Sequence, residues 1–156
     1  RLSAGSTVVL VDAAPPPVTR LAEAGCASTG AFEVSDGNQR LIVNCGGGGL
    51  AGTALPGSLA QALRTTAAHS TLVLDDSNST ALLPDGTLGR GVTEVELNRQ
   101  EQDSGSRVEI SHDGYARRLG YMHRRLLILS ADGRELRGED MLLPAARRRK
   151  PTAAPY

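Results

Sequence analysis

Residues 92–111 read VTEVELNRQEQDSGSRVEIS. Thr93, Val95 and Leu97 alternate with Val92, Glu94 and Glu96, and beyond Asp103-Ser104-Gly105 the apolar Val108 and Ile110 alternate with Arg107, Glu109 and Ser111. A period of two with one wet side marks strands of an antiparallel sheet that rests one face on a core. The Asp-Ser-Gly between them supplies the turn. Two half-wet strands need a second layer to bury their dry side, so this stretch already argues for sheet packed on sheet.

The same rhythm extends in both directions. Thr93–Asn98, Arg107–Ser111, Tyr115–Leu119, His123–Leu129 and Glu135–Leu142 are the later strand candidates, with turns at His112-Asp113-Gly114 and Ala131-Asp132-Gly133. Upstream, Thr7–Val11 ends at Pro15-Pro16-Pro17, where the missing amide donors stop sheet pairing. Ala31–Val34 and Arg40–Asn44 flank Ser35-Asp36-Gly37-Asn38 as a hairpin, and Thr71–Leu74 is a further short strand. Residues 45–52, CGGGGLAG, are too glycine-rich for helix or strand. Ser58–Ala68 is the helical exception, with Ser58 as N-cap and Leu59, Ala62 and Leu63 on one face. The expected fold is therefore all-β, an antiparallel β-sandwich with one short helix.

Composition narrows the function. The chain has 156 residues, enough for one domain, and its 17 basic and 17 acidic residues cancel. That balance gives no reason to expect nucleic acid or an anionic membrane as partner. All the cations but Lys150 are arginine, and the aromatics are only Phe32, Tyr115, Tyr121 and Tyr156. Stacking platforms for sugars or bases are thus scarce. No apolar run approaches the roughly 20 residues of a membrane span. The chain opens without Met and enters a strand almost at once, so it reads as part of a longer protein; Arg147–Lys150 reads as a solvated connection. No simple register of the hairpin sets Cys26 opposite Cys45, so no disulfide is expected.

Common catalytic signatures are missing. Gly46–Gly49 lacks the Lys-Ser/Thr of a phosphate loop, and no serine sits in a Gly-x-Ser-x-Gly turn. His112-Asp113-Gly114 reads as a turn, and His123 beside Arg124 and Arg125 as a cross-strand polar contact. His69, in AAHSTLVLDD (67–76), stands at a strand mouth, a place for a metal ligand or a hydrogen-bonded structural residue.

Read in order, Gly30-x-Phe32-Glu33-Val34, a turn, RLIVNCG (40–46), a short helix, AAHSTLVLDD, SHDGY (111–115) and GYMHRRLLILSADGRELRGEDML (120–142) resemble the C-terminal β-sandwich of the heparinase II/III-like polysaccharide lyases. The likeness runs from about Thr7 to Leu143. It implies a domain over 1–143, incomplete at its C-terminal end, followed by an exposed connection over 144–156. It also implies a bacterial parent in the periplasm, the envelope or the secreted fraction, in which an N-terminal α-helical toroid faces the sandwich across a cleft for an acidic polysaccharide. Such lyases cleave uronic-acid glycans by β-elimination. A tyrosine or histidine takes the C5 proton, another group protonates the leaving oxygen, and the neighbouring carboxylate is neutralised.

The resemblance also points to positions. The family's His-x-His-x-Asp, aligned on Ala31–Val34, falls on Ala24, Cys26 and Ser28; its later Asp falls on Asn44; its last histidine is His69. The first histidine works in the cleft, and the second, the later Asp and His69 can hold a structural zinc. With Cys26 a weak substitute and Asn44 neutral, no metal and no other cofactor is expected here, and no confident catalytic residue remains. His123, Arg124 and Arg125 are candidates for glycan contact. The isolated chain is expected to be inactive even if its parent is a lyase. The alternative is a catalytically degenerate glycan-binding or structural module.

Overall fold

The computed structural model describes residues 1–17, 25–47 and 55–145. Two four-stranded antiparallel sheets form the molecule, each a meander in which chain neighbours are sheet neighbours. The first holds β1 (Leu2–Ala4), β2 (Thr7–Val11), β3 (Phe32–Asp36) and β4 (Gln39–Ile42). The second holds β5 (Val95–Gln102), β6 (Gly105–His112), β7 (Tyr121–Ser130) and β8 (Leu136–Pro144). The all-β sandwich expected from alternation is the architecture observed.

The alternation is realised residue by residue. Along β6, Ser106, Val108, Ile110 and His112 are buried, and the register sets them against Leu129, Leu127, Arg125 and His123 of β7. Leu2, Val9 and Val34 of the first sheet close on Val108, Ile110, Leu127 and Leu129 to make the core. Burying such side chains contributes about 1.5–3 kcal/mol each. The sheets are also pinned at one end, where the Thr7 hydroxyl donates to the Gly133 carbonyl (2.8 Å). Gly133 has φ +73°, and a Cβ there would stand 2.2 Å from the Ala4 carbonyl oxygen, so only glycine lets the two hairpin tips meet.

The two sheets differ in strand length. β5 and β8 have 8 and 9 residues, while the first sheet's strands have 3 to 5. Its cover reaches β6 and β7 and only the ends of the flanks, where Val95 and Leu136 pack on the core: Leu97, paired with buried Ile110 on the same face, stays 55% exposed. Polar residues along β5, Glu96 to Gln102 apart from Leu97, guard that edge against pairing with another chain.

Four local expectations are corrected. The helix is α1, Gly57–Ala62, capped by Pro56 without a side-chain bond, followed by a 3₁₀ turn at Thr66–Ala68. It stops early because Arg64 turns away to donate to the carbonyls of Gly25 (2.7 Å) and Gly86 (2.5 Å), and the Thr66 hydroxyl donates to Ala27 O (2.9 Å). Thr71–Leu74 forms no strand; Thr71 and Leu72 are held by Thr71 Oγ1 donating to Thr29 O (3.1 Å) and Tyr115 Oη donating to Leu72 O (2.5 Å). Tyr115–Leu119 is not a strand but leads into a helical turn, α2 (Ala116–Leu119), closed by Gly120 at φ 82°. The strand placed at Thr93–Asn98 runs instead from Val95 to Gln102. The two cysteines are not joined. The connection expected over 144–156 lies, beyond Ala145, outside the described residues.

One tight turn carries strain. Leu74 and Ser77 form a bridge, and Asp75 (φ 51°) and Asp76 (φ 48°) between them are both left-handed. Such turns favour Asn-Gly because L side chains crowd the backbone there. Asp76→Gly is expected to raise stability by about 0.5 kcal/mol after the added freedom of the unfolded chain is counted, about 1–2 °C in Tm. Asp76→Ala should lower the Tm; a thermal melt showing both variants shifted the same way would contradict the turn assignment.

Candidate functional site

The strand registers bring a chain of polar groups into the interior. His112 pairs with His123 across β6 and β7, and Arg125 with Asp140 across β7 and β8. Because side chains alternate, His123 and Arg125 share the inward face with Leu127 and Leu129. His123 Nδ1 lies 2.9 Å from His112 Nε2, and His123 Nε2 lies 2.8 Å from Asp140 Oδ1. Arg125 grips the same carboxylate with two bonds, Nε to Oδ1 and Nη2 to Oδ2, both 2.7 Å. Its Nη1 donates to the carbonyls of Gly30 (2.7 Å) and Ser70 (2.5 Å), and the guanidinium sits 5.2 Å from the centre of the Phe32 ring.

The direction of each bond follows by elimination. Gly114 N–H donates to His112 Nδ1 (3.2 Å), so a neutral His112 carries its proton on Nε2 and donates to His123 Nδ1. His123 then donates from Nε2 to Asp140. This Asp-His-His chain superficially resembles a catalytic relay, but its far end is a backbone amide, not a nucleophile or a solvent-facing group. Its chemistry is structural: each buried polar group is given a partner. Gly30, at φ +85°, permits the approach, since a Cβ there would stand 3.1 Å from Thr71 Oγ1 and under 4 Å from both imidazoles.

Electrostatics agree with a locked network. Burial, then the proximity of His123, pushes His112 down to about 4. For Asp140, burial alone would raise the carboxyl, but hydrogen bonds from His123 and Arg125 and the Arg125 charge outweigh it and hold the group well below the usual carboxylate range.

Of the family-aligned positions, Ala24 lies outside the described residues, and Cys26, Ser28, Asn44 and His69 lie elsewhere, in the loops beside β3 and β4. Asn44 Nδ2 donates to Phe32 O (3.1 Å), and Asn44 Oδ1 accepts from Ser70 N–H (2.8 Å). The amide therefore staples the residue after His69 to β3. His69 Nδ1 donates to Thr65 O (2.8 Å), which leaves Nε2 with the lone pair a metal ligand needs. Its would-be companions do not match: Asn44 is committed at both ends, and burial raises the Cys26 thiol pKa, against a partial lowering by Arg64, which disfavours thiolate. Among the described residues no group of three His, Cys, Asp or Glu is placed to hold a metal ion. The described residues around His69 do not fit a structural zinc.

The positions suggested for glycan contact are also occupied. His123 and Arg125 are buried in the network, and Arg124 is paired with Glu109, which Arg107 also contacts at 2.5 Å. Tyr115, the only buried tyrosine among the described residues, is 1% exposed, and burial raises its hydroxyl above the ordinary value. It cannot reach a polymer on the surface. Reading the sequence missed Asp140 as the hub and His112 as its relay. The period-two rule applied to His123, Arg125, Leu127 and Leu129 carried the signal that these cations point inward.

Among the described residues no helix is long and apolar enough to cross a membrane. Residues 1–154 match the family model described as heparinase II/III-like, C-terminal. The chain is similar to FtsZ-localized protein C of Caulobacter vibrioides, with 34% identity over 162 residues that cover 94% of this chain and 25% of that protein. It thus spans about a quarter of the length of that curated relative. No solved structure matches. The match along almost the entire chain places this protein in the heparinase II/III-like family, as its C-terminal domain.

Proposed function

We propose that this domain is the catalytically silent sandwich of a larger heparinase II/III-like protein, and that any β-elimination of uronic-acid glycan rests on groups from another domain, an α-helical toroid facing it across a cleft. The commitment of Asn44 to Phe32 and Ser70 carries this reading: where the family alignment puts an anionic ligand, this chain has a neutral amide used as a staple. The relay closes on the Gly114 amide at one end. At the other, the partly exposed Asp140 carboxylate is committed to Arg125 and His123, whose bonds hold it well below the usual carboxylate range and make it a poor base. The sandwich then contributes a rigid wall and positions the acidic polysaccharide. The relative whose name localises it to FtsZ supports a parent protein that localises with FtsZ in its own cell.

Purified chain incubated with heparin, heparan sulfate or alginate is expected to generate no unsaturated-uronate absorbance, with or without added zinc. Zinc is also expected to leave the melting curve in place, whereas a ligand selective for the folded state at a hundredfold excess over its Kd would add about 2.7 kcal/mol. Product formation by the chain alone, or one equivalent of zinc retained through dialysis, would overturn the silent-sandwich reading.

A further inference from the structure

A groove of about 1200 Å³ opens between the 76–82 segment, the 89–93 segment and α2. It lies apart from Asn44 and His69, and its walls carry Arg90, Arg117 and Arg118. All three are exposed. Most other described arginine side chains are engaged: Arg40, Arg99, Arg107, Arg124, Arg125 and Arg137 pair with carboxylates, and Arg64 is bound to backbone carbonyls. Among the described residues no ion pair engages Arg90, Arg117 or Arg118, so three guanidinium groups line one groove with their donors open to a ligand.

Of the two carboxylates in the lining, Asp113 is consumed inside the fold. It accepts from Thr93 N–H (2.8 Å), Thr93 Oγ1 (2.5 Å) and Glu94 N–H (3.0 Å). Asp76, on the strained turn, is left as the counterweight to three arginines. Between the charges the walls mix apolar Ala81, Leu82, Val92 and Ala116 with polar Ser77, Asn78 and Thr93. The shape is set by close backbone approach. A Cβ on Gly91 would stand 2.2 Å from Thr80 Cα, and one on Gly114 would stand 2.7 Å from Ser79 O.

We propose that this groove docks an acidic peptide segment of a protein partner, with glutamate or aspartate carboxylates in the arginine forks and short apolar side chains against Leu82 and Val92. Guanidinium and carboxylate match in planar, two-bond geometry. The apolar wall suits peptide side chains, while the lining offers no aromatic ring on which a sugar would stack. The idea is independent of whether the parent is a lyase, since the groove shares no residue with the family-aligned positions.

The test uses the whole 156-residue chain and three fluorescent probes: a peptide of alternating Glu and Leu, the same peptide with Gln for Glu, and an alginate oligosaccharide of equal charge. The Glu-Leu peptide is expected to bind and to weaken as salt rises. The Gln-Leu peptide should not bind, and alginate should bind more weakly than the acidic peptide. Arg117→Ala with Arg118→Ala, both on an exposed turn, should reduce peptide affinity about tenfold or more while leaving the Tm in place. Arg137→Ala, on β8 away from the groove, should leave affinity unchanged. Peptide binding insensitive to the double variant, no binding at all, or alginate bound more tightly than peptide would each overturn the proposal.

Discussion

Asp140→Ala is expected to lower the unfolding free energy by about 3 kcal/mol, the lower end of the range for breaking a buried ion pair because this carboxylate keeps some contact with water. The Arg125 side chain is 8% exposed and loses both of its charged acceptors, and His123 Nε2–H is left without a partner. A guanidinium stranded in the interior is the main source of the cost. Denaturant unfolding should show a lower midpoint with an unchanged slope. Replacing the pair together, Arg125→Met with Asp140→Leu, should recover much of the loss, since an apolar pair removes both the charge and its need for a partner. A single variant within about 0.5 kcal/mol of the parent chain would show that the network contributes as little as a surface pair.

Stability should also fall as the solution is acidified from pH 6.5 to 4, by about 3 kcal/mol from His112 alone. Burial holds the folded-state value near 4, while the unfolded imidazole titrates near 6.5. Between those values the unfolded chain binds a proton that the folded chain excludes. The contribution is therefore complete above 6.5 and is lost on the way down to 4. The depressed Asp140 acts in the same direction but in a separate window, below the ordinary carboxylate range. His112→Gln should flatten the upper window while lowering the plateau. An unfolding free energy that stays level from pH 7 to 4.5 would contradict a neutral, buried His112.

How far the sequence led depends on which residues carried the signal. Alternation in β5, β6 and β7 is a short-range property, so the sandwich followed from it directly. The three-residue β1 is too brief to show a period. Thr71–Leu74 has strand composition, but Thr71 Oγ1 and the Tyr115 hydroxyl fix it from positions that only the folded chain brings near. The turn at Ala116–Leu119 reads as strand from Tyr115 and as helix only once Gly120 is seen as a left-handed stop. For the polar network, the inward direction of His123 and Arg125 was implicit in their spacing to Leu127. The partner was not, because Asp140 becomes a neighbour only through the register of β8 on β7. The resemblance implied departures at Cys26 and Asn44, whereas the use of the Asn44 amide as a staple needed three dimensions.

The Arg125 bond to the Gly30 carbonyl has a kinetic meaning. It joins residues 95 apart in sequence, while every strand pair of the second sheet is a local hairpin. Loops close in order of length, so the second sheet can assemble well before the first arrives to cover it. During that interval Val108, Ile110, Leu127 and Leu129 face water on an unroofed sheet. The hazard for this chain is therefore a crowded refolding vessel rather than the finished molecule: two half-built copies meeting there would find in each other the cover that neither yet has.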